Sequence, residues 1–204
     1  MKSLIRLNLI FLLITGLAIL PGCNDNDDEE SALLTEEEKA DLLQLREEEK
    51  LARDVYLYAY EKYGLIISKN ISNSEQTHMD QVLQILSAYN LEDPASGDTG
   101  VFNSEDLQTL YNQLIDRVDI SELEALIVGA VIEDLDIKDI EEFLQRTSKA
   151  DIISMYESLM CGSRNHLRSY YSQIVSKGGS YSPSYISQEE YDSIINRDKE
   201  NCVQ

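Results

Sequence analysis

Residues that interrupt helices are scarce in this chain, which has only three prolines and nine glycines among 204 residues. Proline and glycine are the residues that a helix interior tolerates least. Their scarcity favours long helices. No convincing strand pattern remains once the helical stretches are assigned, so we predict an all-α fold.

Cysteine and positive charge are also scarce. One of the three cysteines, Cys23, belongs to the N-terminal segment discussed next, and the remaining two, Cys161 and Cys202, predict neither a disulfide framework nor a thiolate metal cluster. The chain has 38 acidic and 17 basic side chains and a net charge of -21. Such a charge repels phosphate backbones, so we expect no nucleic-acid partner.

The N-terminus has the pattern of an export signal. Lys2 and Arg6 precede an apolar run over residues 7–20, which is short for a bilayer-spanning helix. The run ends at Gly22 and Cys23, and this ending resembles the lipobox at which bacterial lipoproteins are cut and acylated. We therefore predict a signal peptide over residues 1–22 and lipidation of Cys23, with an uncleaved anchor helix as the alternative.

An acidic stretch over residues 23–34 separates this signal from the rest of the chain. It is similar to tags that direct some lipoproteins to the outer face of the outer membrane, and a solvated linker has the same composition. The resemblance implies a lipid anchor in the bacterial cell envelope, with the membrane as a partner. Surface exposure and a plain linker both remain open.

Four long stretches keep apolar residues at helical spacing, and together they predict one domain over residues 35–195 followed by a tail over 196–204. Thr35 and Ser121 begin capping-box patterns, Gly64 follows the first stretch, and Gly178 follows the last. The predicted helices run from Thr35 to Tyr63, from near Ser72 to Tyr89, from Ser121 to beyond Phe143, and from Asp151 to just before Gly178.

The connection between the second and third long helices is unusually long. It contains a turn-rich stretch over residues 93–100 and a shorter helix capped by Ser104. Two helical hairpins joined by such a crossover make up the ferritin-like arrangement of a four-helix bundle. We therefore predict a ferritin-like four-helix bundle with a short helix in its crossover.

Both histidines of the protein, His78 and His166, fall on the inward stripe of a predicted long helix. Glu75 lies three residues before His78, which puts the carboxylate and the imidazole on one helical face. A Glu-x-x-His pair facing a bundle core is typical of carboxylate-bridged iron or manganese sites. Two alternatives remain, because Ser72 and Glu75 also fit a capping box and the spacing is common on helices.

The first long helix supplies a carboxylate at Glu49, which shares a face with Ala52 and Tyr56 at plus three and plus seven. Glu48 flanks the same stripe and is the alternative ligand. A charged surface patch is the simpler explanation for both residues. The phase of the stripe favours Glu49.

The third long helix places Glu133 at mid-stripe, one turn from Ala130 and one turn before Ile137, with Asp136 beside it at i+3. A buried carboxylate without a partner is costly, so this position needs a cation or an internal donor. We predict that Glu133 is a metal ligand and that Asp136 is an additional ligand or orients one.

The fourth long helix contributes His166 at the corresponding depth. Ser163 occupies the position three residues earlier, where a second Glu-x-x-His pair would have its carboxylate. Arg164 and Arg168 flank His166 and could balance surplus carboxylates if only one ion binds. A hydrogen-bonded core histidine is the alternative for His166 taken alone.

Four blocks of this sequence resemble the signature of one family, the ferritin-like family filed as domain of unknown function 2202. The blocks are residues 49–56, 74–79, 132–137 and 162–168, and the likeness extends over about residues 38–195. The first block is also similar to rubrerythrins and ferritins, in which a ligand glutamate precedes an alanine by three and a tyrosine by seven. The resemblance implies the fold and a metal site, and it implies no particular reaction.

These observations predict a metal-binding domain with one or two iron or manganese ions, and zinc is also compatible with oxygen and nitrogen ligands. Oxidation of ferrous ion or reduction of peroxide are reactions that such a site could support, with Tyr56 nearby as a hydrogen-bond or electron donor. The alternative is a surface-exposed helical binding module without a catalytic metal. A homodimer is compatible with either hypothesis. The predicted metal ligands are Glu49, Glu75, His78, Glu133, Asp136 and His166.

Overall fold

The structure is a computed structural model that describes residues 33–202. Within this range the chain forms six helices and no strand, which confirms the all-α prediction. None of the helices in the described range is long and apolar enough to cross a bilayer. The predicted signal peptide, the lipidation site Cys23 and the linker up to residue 32 lie outside the described residues.

Four long helices and two shorter ones make up the described chain. They are α1 (Glu36–Tyr63), α2 (Ile66–Ala88), α3 (Glu105–Val118), α4 (Glu122–Leu144), α5 (Ala150–Ser176) and α6 (Gln188–Ile195).

Helix α1 begins and ends where its sequence predicts. The Glu38 amide donates to Thr35 Oγ1 at 3.0 Å, and the Thr35 amide donates to Glu38 Oε2 at 2.8 Å, so both halves of the capping box are present. Gly64 ends the helix in the left-handed region at φ 69°, a conformation that favours glycine.

Helix α2 begins six residues earlier than predicted, at Ile66 instead of near Ser72. Ser72 is a buried residue inside the helix, and its hydroxyl donates to the Lys69 carbonyl at 2.8 Å. It therefore caps nothing. The capping-box alternative for Glu75 was wrong, and this carboxylate lies in the helix interior.

The remaining helix starts agree with the sequence in part. Ser104 and Ser121 cap α3 and α4 through their hydroxyls, as predicted. The predicted start of α5 at Asp151 was wrong by one residue, because the helix begins at Ala150 after the cap residue Lys149, and Asp151 lies in the first turn. Helix α6, which Ser187 caps, was not predicted.

The long helices pack as two hairpins, α1 with α2 and α4 with α5. Contacts between α1 and α4 and between α2 and α5 join the hairpins, and α3 lies against α1 and α4. The buried apolar residues form two separate clusters. One includes Val55, Leu126 and Tyr170, and the other includes Leu45, Leu86 and Leu159. Along each long helix, a polar layer lies between these clusters.

The chain after α5 is fastened back onto the bundle. Cys161 and Cys202 form a disulfide, a pairing that the sequence did not predict. Arg164 and Arg168 both donate to the Glu200 carboxylate, at 2.9 Å and 2.7 Å. The suggestion that these arginines balance the carboxylates of the predicted site was therefore wrong, because their charge is used by the tail.

Candidate metal centre

The six predicted ligands converge in the polar layer between the two apolar clusters. Each is at most 9 % exposed, although all are ionisable. Helix α1 supplies one of them, α2 and α4 two each, and α5 one; they are Glu49, Glu75, His78, Glu133, Asp136 and His166.

A first group of potential ligands surrounds the imidazole of His78. Its Nδ1 atom lies 3.1 Å from Glu49 Oε2 and 2.8 Å from Glu75 Oε2. One ligand atom from each of the three residues lies within 4.8 Å of the others. These three side chains could hold one metal ion.

A second group surrounds the imidazole of His166. Its Nδ1 atom lies 2.9 Å from Glu75 Oε1 and 3.4 Å from Glu133 Oε2. These ligand atoms also lie within 4.8 Å of one another. Glu75 belongs to both groups and presents one carboxylate oxygen to each histidine.

Several atoms of this layer are buried without a hydrogen-bond donor or acceptor among the described residues. Although His166 Nδ1 and Glu75 Oε1 lie 2.9 Å apart, they are not aligned as a hydrogen bond, and both count among these unsatisfied atoms. An unsatisfied buried charge costs several kcal/mol, so this arrangement is unfavourable for the protein alone. The other unsatisfied atoms of the layer are Glu49 Oε1, Glu133 Oε2, Asp136 Oδ2 and the neighbouring Glu48 Oε2.

Helix α1 offers two neighbouring carboxylates, and they differ in orientation. Glu49 is the one that contacts His78 and joins the first group. Glu48 instead accepts a hydrogen bond from Gln44 at 2.7 Å and lines a separate cavity of about 150 Å³ beside α3. Asp136 also lines that cavity, so the two residues lie on the side of the layer that faces away from the histidines.

Buried tyrosines border the site toward α4. The Tyr56 hydroxyl donates to Glu133 Oε1 at 2.7 Å, and its ring packs against Tyr170 with centroids 5.3 Å apart. Gly129 makes this packing feasible, because a Cβ at that position would come within 2.4 Å of the Tyr170 ring. Ser163 takes no part in the site, since its hydroxyl donates to the Leu159 carbonyl.

The outer edges of both imidazoles are also held. His166 Nε2 lies 3.0 Å from Ser74 Oγ, a contact that orients the ring with Nδ1 toward the carboxylates. A Cβ at Gly162 would come within 2.6 Å of His78 Nε2, so only glycine leaves room for that ring. Sequence reasoning missed both residues, because serine and glycine on a helix carry no distinctive signal.

The two histidines favour their protonated forms. Burial opposes protonation of His78, but Glu75 and Glu49 outweigh it and hold its pKa well above the ordinary value. Burial opposes protonation of His166 as well, and Glu75 and Glu133 nevertheless raise its pKa to about 10. A metal ion must displace these protons before it can bind.

The pKa values of the buried carboxylates in this layer shift in opposite directions. Burial disfavours the Glu75 anion, but the two histidines beside it lower its pKa below the ordinary value. Burial raises the pKa of Glu49 to about 7, with His78 acting against it. Burial, together with Glu49 and Glu133, raises the pKa of Asp136 well above its ordinary value. The layer therefore holds more carboxylates than its two imidazoles neutralise.

The fold and this layer together define the class, an all-helical bundle with two carboxylate–histidine groups in its middle. The chain belongs to the family described as an uncharacterized protein domain, DUF2202, whose model matches residues 38–198.

The comparisons also found a relative in Methanocaldococcus jannaschii. The uncharacterized protein MJ0754 of that organism is 51% identical over 168 residues, which cover 82% of this chain and 91% of the relative. The crystal structure of the hypothetical protein MJ0754 from Methanococcus jannaschii DSM 2661 superposes with a TM-score of 0.81 at 50% identity. It covers 82% of this chain and 96% of the crystallised one.

Proposed function

We propose that this protein is a ferritin-like metalloprotein that binds two iron or manganese ions in the polar layer, with Glu75 as the shared ligand. The observation that carries the proposal is the set of buried carboxylate oxygens that have no hydrogen-bond donor and lie around two imidazole Nδ1 atoms. Hydrogen bonds within the protein leave these charges uncompensated. Two cations would compensate them.

The donor set fits the proposed metals. Carboxylate oxygens with imidazole nitrogens, and no thiolate, suit iron and manganese, and zinc also accepts such ligands. Glu49 and His78 would hold one ion, Glu133 and His166 the other, and Glu75 would contact both. The sequence left one or two ions open, and the shared position of Glu75 favours two.

Bound iron or manganese would supply one-electron redox chemistry toward dioxygen or peroxide, which gives the site an oxidase or peroxidase type of activity. The protein contributes orientation and exclusion of water. Tyr56 donates to Glu133 and fixes that carboxylate, and Ser74 fixes the ring of His166. The apolar clusters above and below the layer exclude water from those two sides.

The proposal is tested by metal analysis of the full chain purified in mild detergent without chelator, before and after loading with ferrous or manganous ion. We expect close to two ions per chain, and a free metal concentration of 100 times the Kd should raise the free energy of unfolding by about 2.7 kcal/mol for each independent site. A content below about a tenth of an ion per chain after reloading would contradict the proposal, since metal affinity of such sites is high.

Glu75→Gln provides the decisive variant, because it alters both groups at once. We expect it to lose both ions and the stabilisation that they confer. Glu61→Gln, the same change at an exposed position of α1, is the matched control and should bind like the unaltered protein. Equal metal binding by both variants would show that Glu75 is not a metal ligand.

The export pattern of residues 1–32 leads to a second, separate proposal, that Cys23 carries lipid and tethers the domain to the bacterial cell envelope. Its support is the sequence pattern alone. Cys23→Ala should move the protein from the membrane fraction to the soluble fraction. Unchanged fractionation would contradict the anchor and leave the metal site untouched.

A further inference from the structure

A cleft of about 700 Å³ separates the facing surfaces of α2 and α5. His78 and His166 lie at its floor, so the cleft opens directly onto both carboxylate–histidine groups. Residues 199–202 of the tail form its third wall. We call this space the polar cleft.

The α2 wall of the polar cleft consists mainly of a stripe of uncharged polar side chains, with Ile67 and Ile71 beside it. Its positions are separated by three or four residues, which is the spacing of one helical face. Two facing helices of a bundle normally bury apolar residues at such positions. Here the stripe consists of Asn70, Asn73, Ser74, Thr77 and Gln81.

The α5 wall continues the same chemistry with Ser158, Asn165 and Ser169, and Gly162 lies between them. Gln81 Oε1, on the opposite wall, is a buried acceptor without a donor among the described residues. Amide and hydroxyl groups of this kind can hydrogen-bond to the water molecules around a hydrated ion. Two polar walls therefore lead from the surface to the histidines.

The charge of the polar cleft changes with depth. Its walls are uncharged apart from the tail, which contributes the Lys199 ammonium and the Glu200 carboxylate, and that carboxylate is already bound by Arg164 and Arg168. Its floor leads to the surplus carboxylates around His78 and His166. Among the described wall residues no unpaired carboxylate would trap a cation before it reaches the Glu49, Glu75 and Glu133 carboxylates behind the two imidazoles.

We propose that the polar cleft is the route by which a hydrated divalent cation reaches and leaves the metal centre, and that residues 199–202 control its width. This inference rests on the proposed function. The cavity on the other side of the layer, beside α3, is smaller, at about 150 Å³, and leucines form much of its lining. Such a lining is a poor path for a hydrated ion.

The tail wall is fixed by covalent and polar contacts. The disulfide joins Cys202 to α5 at Cys161, and the Asn165 side-chain amide donates to the Glu200 carbonyl at 3.1 Å. These contacts hold the tail against the edge of the polar cleft. Removing the disulfide should let this wall move outward and widen the route.

The test measures how fast Mn²⁺ enters, with the full chain in mild detergent and a fluorescent indicator of free Mn²⁺ in a stopped-flow instrument. Thr77→Trp places a bulky ring at the exposed rim of the polar cleft, and Gln113→Trp does the same at the exposed rim of the opposite cavity. We expect Thr77→Trp to slow uptake by about tenfold or more and Gln113→Trp to change it by less than about twofold, because access then requires a wall to move.

The paired substitution Cys161→Ser with Cys202→Ser should have the opposite effect and speed uptake, and the final Mn²⁺ content should stay the same in all variants. Unchanged uptake in Thr77→Trp, or a slowing confined to Gln113→Trp, would overturn the route. Unchanged uptake without the disulfide would overturn the role of the tail. If the unaltered protein takes up no Mn²⁺, Fe²⁺ or Zn²⁺ at all, the proposed metal centre fails and the route fails with it.

Discussion

Glu133 and Asp134 are adjacent on α4 and both are completely buried, yet their carboxylates are treated in opposite ways. Asp134 accepts four hydrogen bonds from the segment after α5, including the Tyr181 hydroxyl at 2.7 Å and the Ile186 amide at 2.9 Å. Glu133 accepts one close hydrogen bond, from Tyr56, and its Oε2 atom has no donor among the described residues.

Helix α1 repeats this contrast five residues apart. Asp54 is fully buried and accepts from Lys50 at 2.6 Å, from Arg53 and from the Gly100 amide. Glu49 contacts a single imidazole by a hydrogen bond and leaves Oε1 without a donor.

This contrast separates the carboxylates that anchor the fold from those of the proposed metal centre. Where a buried carboxylate serves the fold, the chain supplies donors for both oxygens, as burial of charge requires. In the middle layer the same chain leaves oxygens uncompensated on α1, α2 and α4 at one depth. The proposed metal centre would account for this difference, whereas poor packing would scatter such atoms.

The largest change in the free energy of unfolding is expected when Asp134, one of the fully hydrogen-bonded carboxylates, is replaced. In Asp134→Asn the new amide group faces backbone N–H donors, so we expect the free energy of unfolding to fall by about 3–5 kcal/mol. Urea denaturation in the presence of a chelator measures this loss of stability, and the exposed substitution Asp116→Asn is the control. A loss below about 1 kcal/mol would mean that Asp134 does not anchor the segment between α5 and α6, because a surface change costs as little.

Asp136→Asn, two residues further along, should change the free energy of unfolding in the opposite direction and stabilise the metal-free protein. Burial and the neighbouring Glu49 and Glu133 raise the pKa of Asp136, so its carboxylate form destabilises the metal-free protein increasingly as the pH rises above about 4. We expect the variant to gain about 1–2 kcal/mol at pH 8 in chelator and much less at pH 4. Urea titrations at the two pH values measure this, and a loss like that of Asp134→Asn would erase the distinction between the two carboxylates.

The smallest change in the free energy of unfolding is expected when Glu200 is replaced. This partly exposed carboxylate has its own hydrogen-bond donors. Hydrogen bonds from Arg164, with Arg168 beside it, lower its pKa to about 2 against the cost of burial. Its contribution to stability is therefore present above about pH 4.5 and is lost as the pH falls toward 2. Glu200→Gln should cost about 1 kcal/mol at pH 6, since solvent screens the pair, and the cost should shrink steadily below pH 4.5. Thermal unfolding followed over that range would contradict this if the difference stayed constant.

The helices and most of the residues in the polar layer could be predicted from the sequence, and for the same reason. Helical spacing and capping residues are local signals, and they predicted both ends of α1 and the starts of α3 and α4. The same spacing brought Glu75 and His78 to one face and favoured Glu49 over Glu48, and the structure places Glu49 against His78.

What the sequence did not predict depends on contacts between distant parts of the chain. Cys161 and Cys202 are 41 residues apart, and nothing local indicates their pairing. Arg164 and Arg168 lie next to His166 in sequence, but their partner is Glu200 in the tail. The start of α2 was misplaced because Ser72 resembles a cap although its hydroxyl bonds within the helix.

The disulfide also simplifies the chemistry of the whole chain. Since Cys161 and Cys202 are bonded to each other, Cys23 is the one cysteine of the printed sequence outside this disulfide. A thiol-specific reagent applied without reductant therefore reports on that one position. One reactive sulfur per chain would indicate a bare Cys23, and none would be expected where a thioether-linked lipid occupies it.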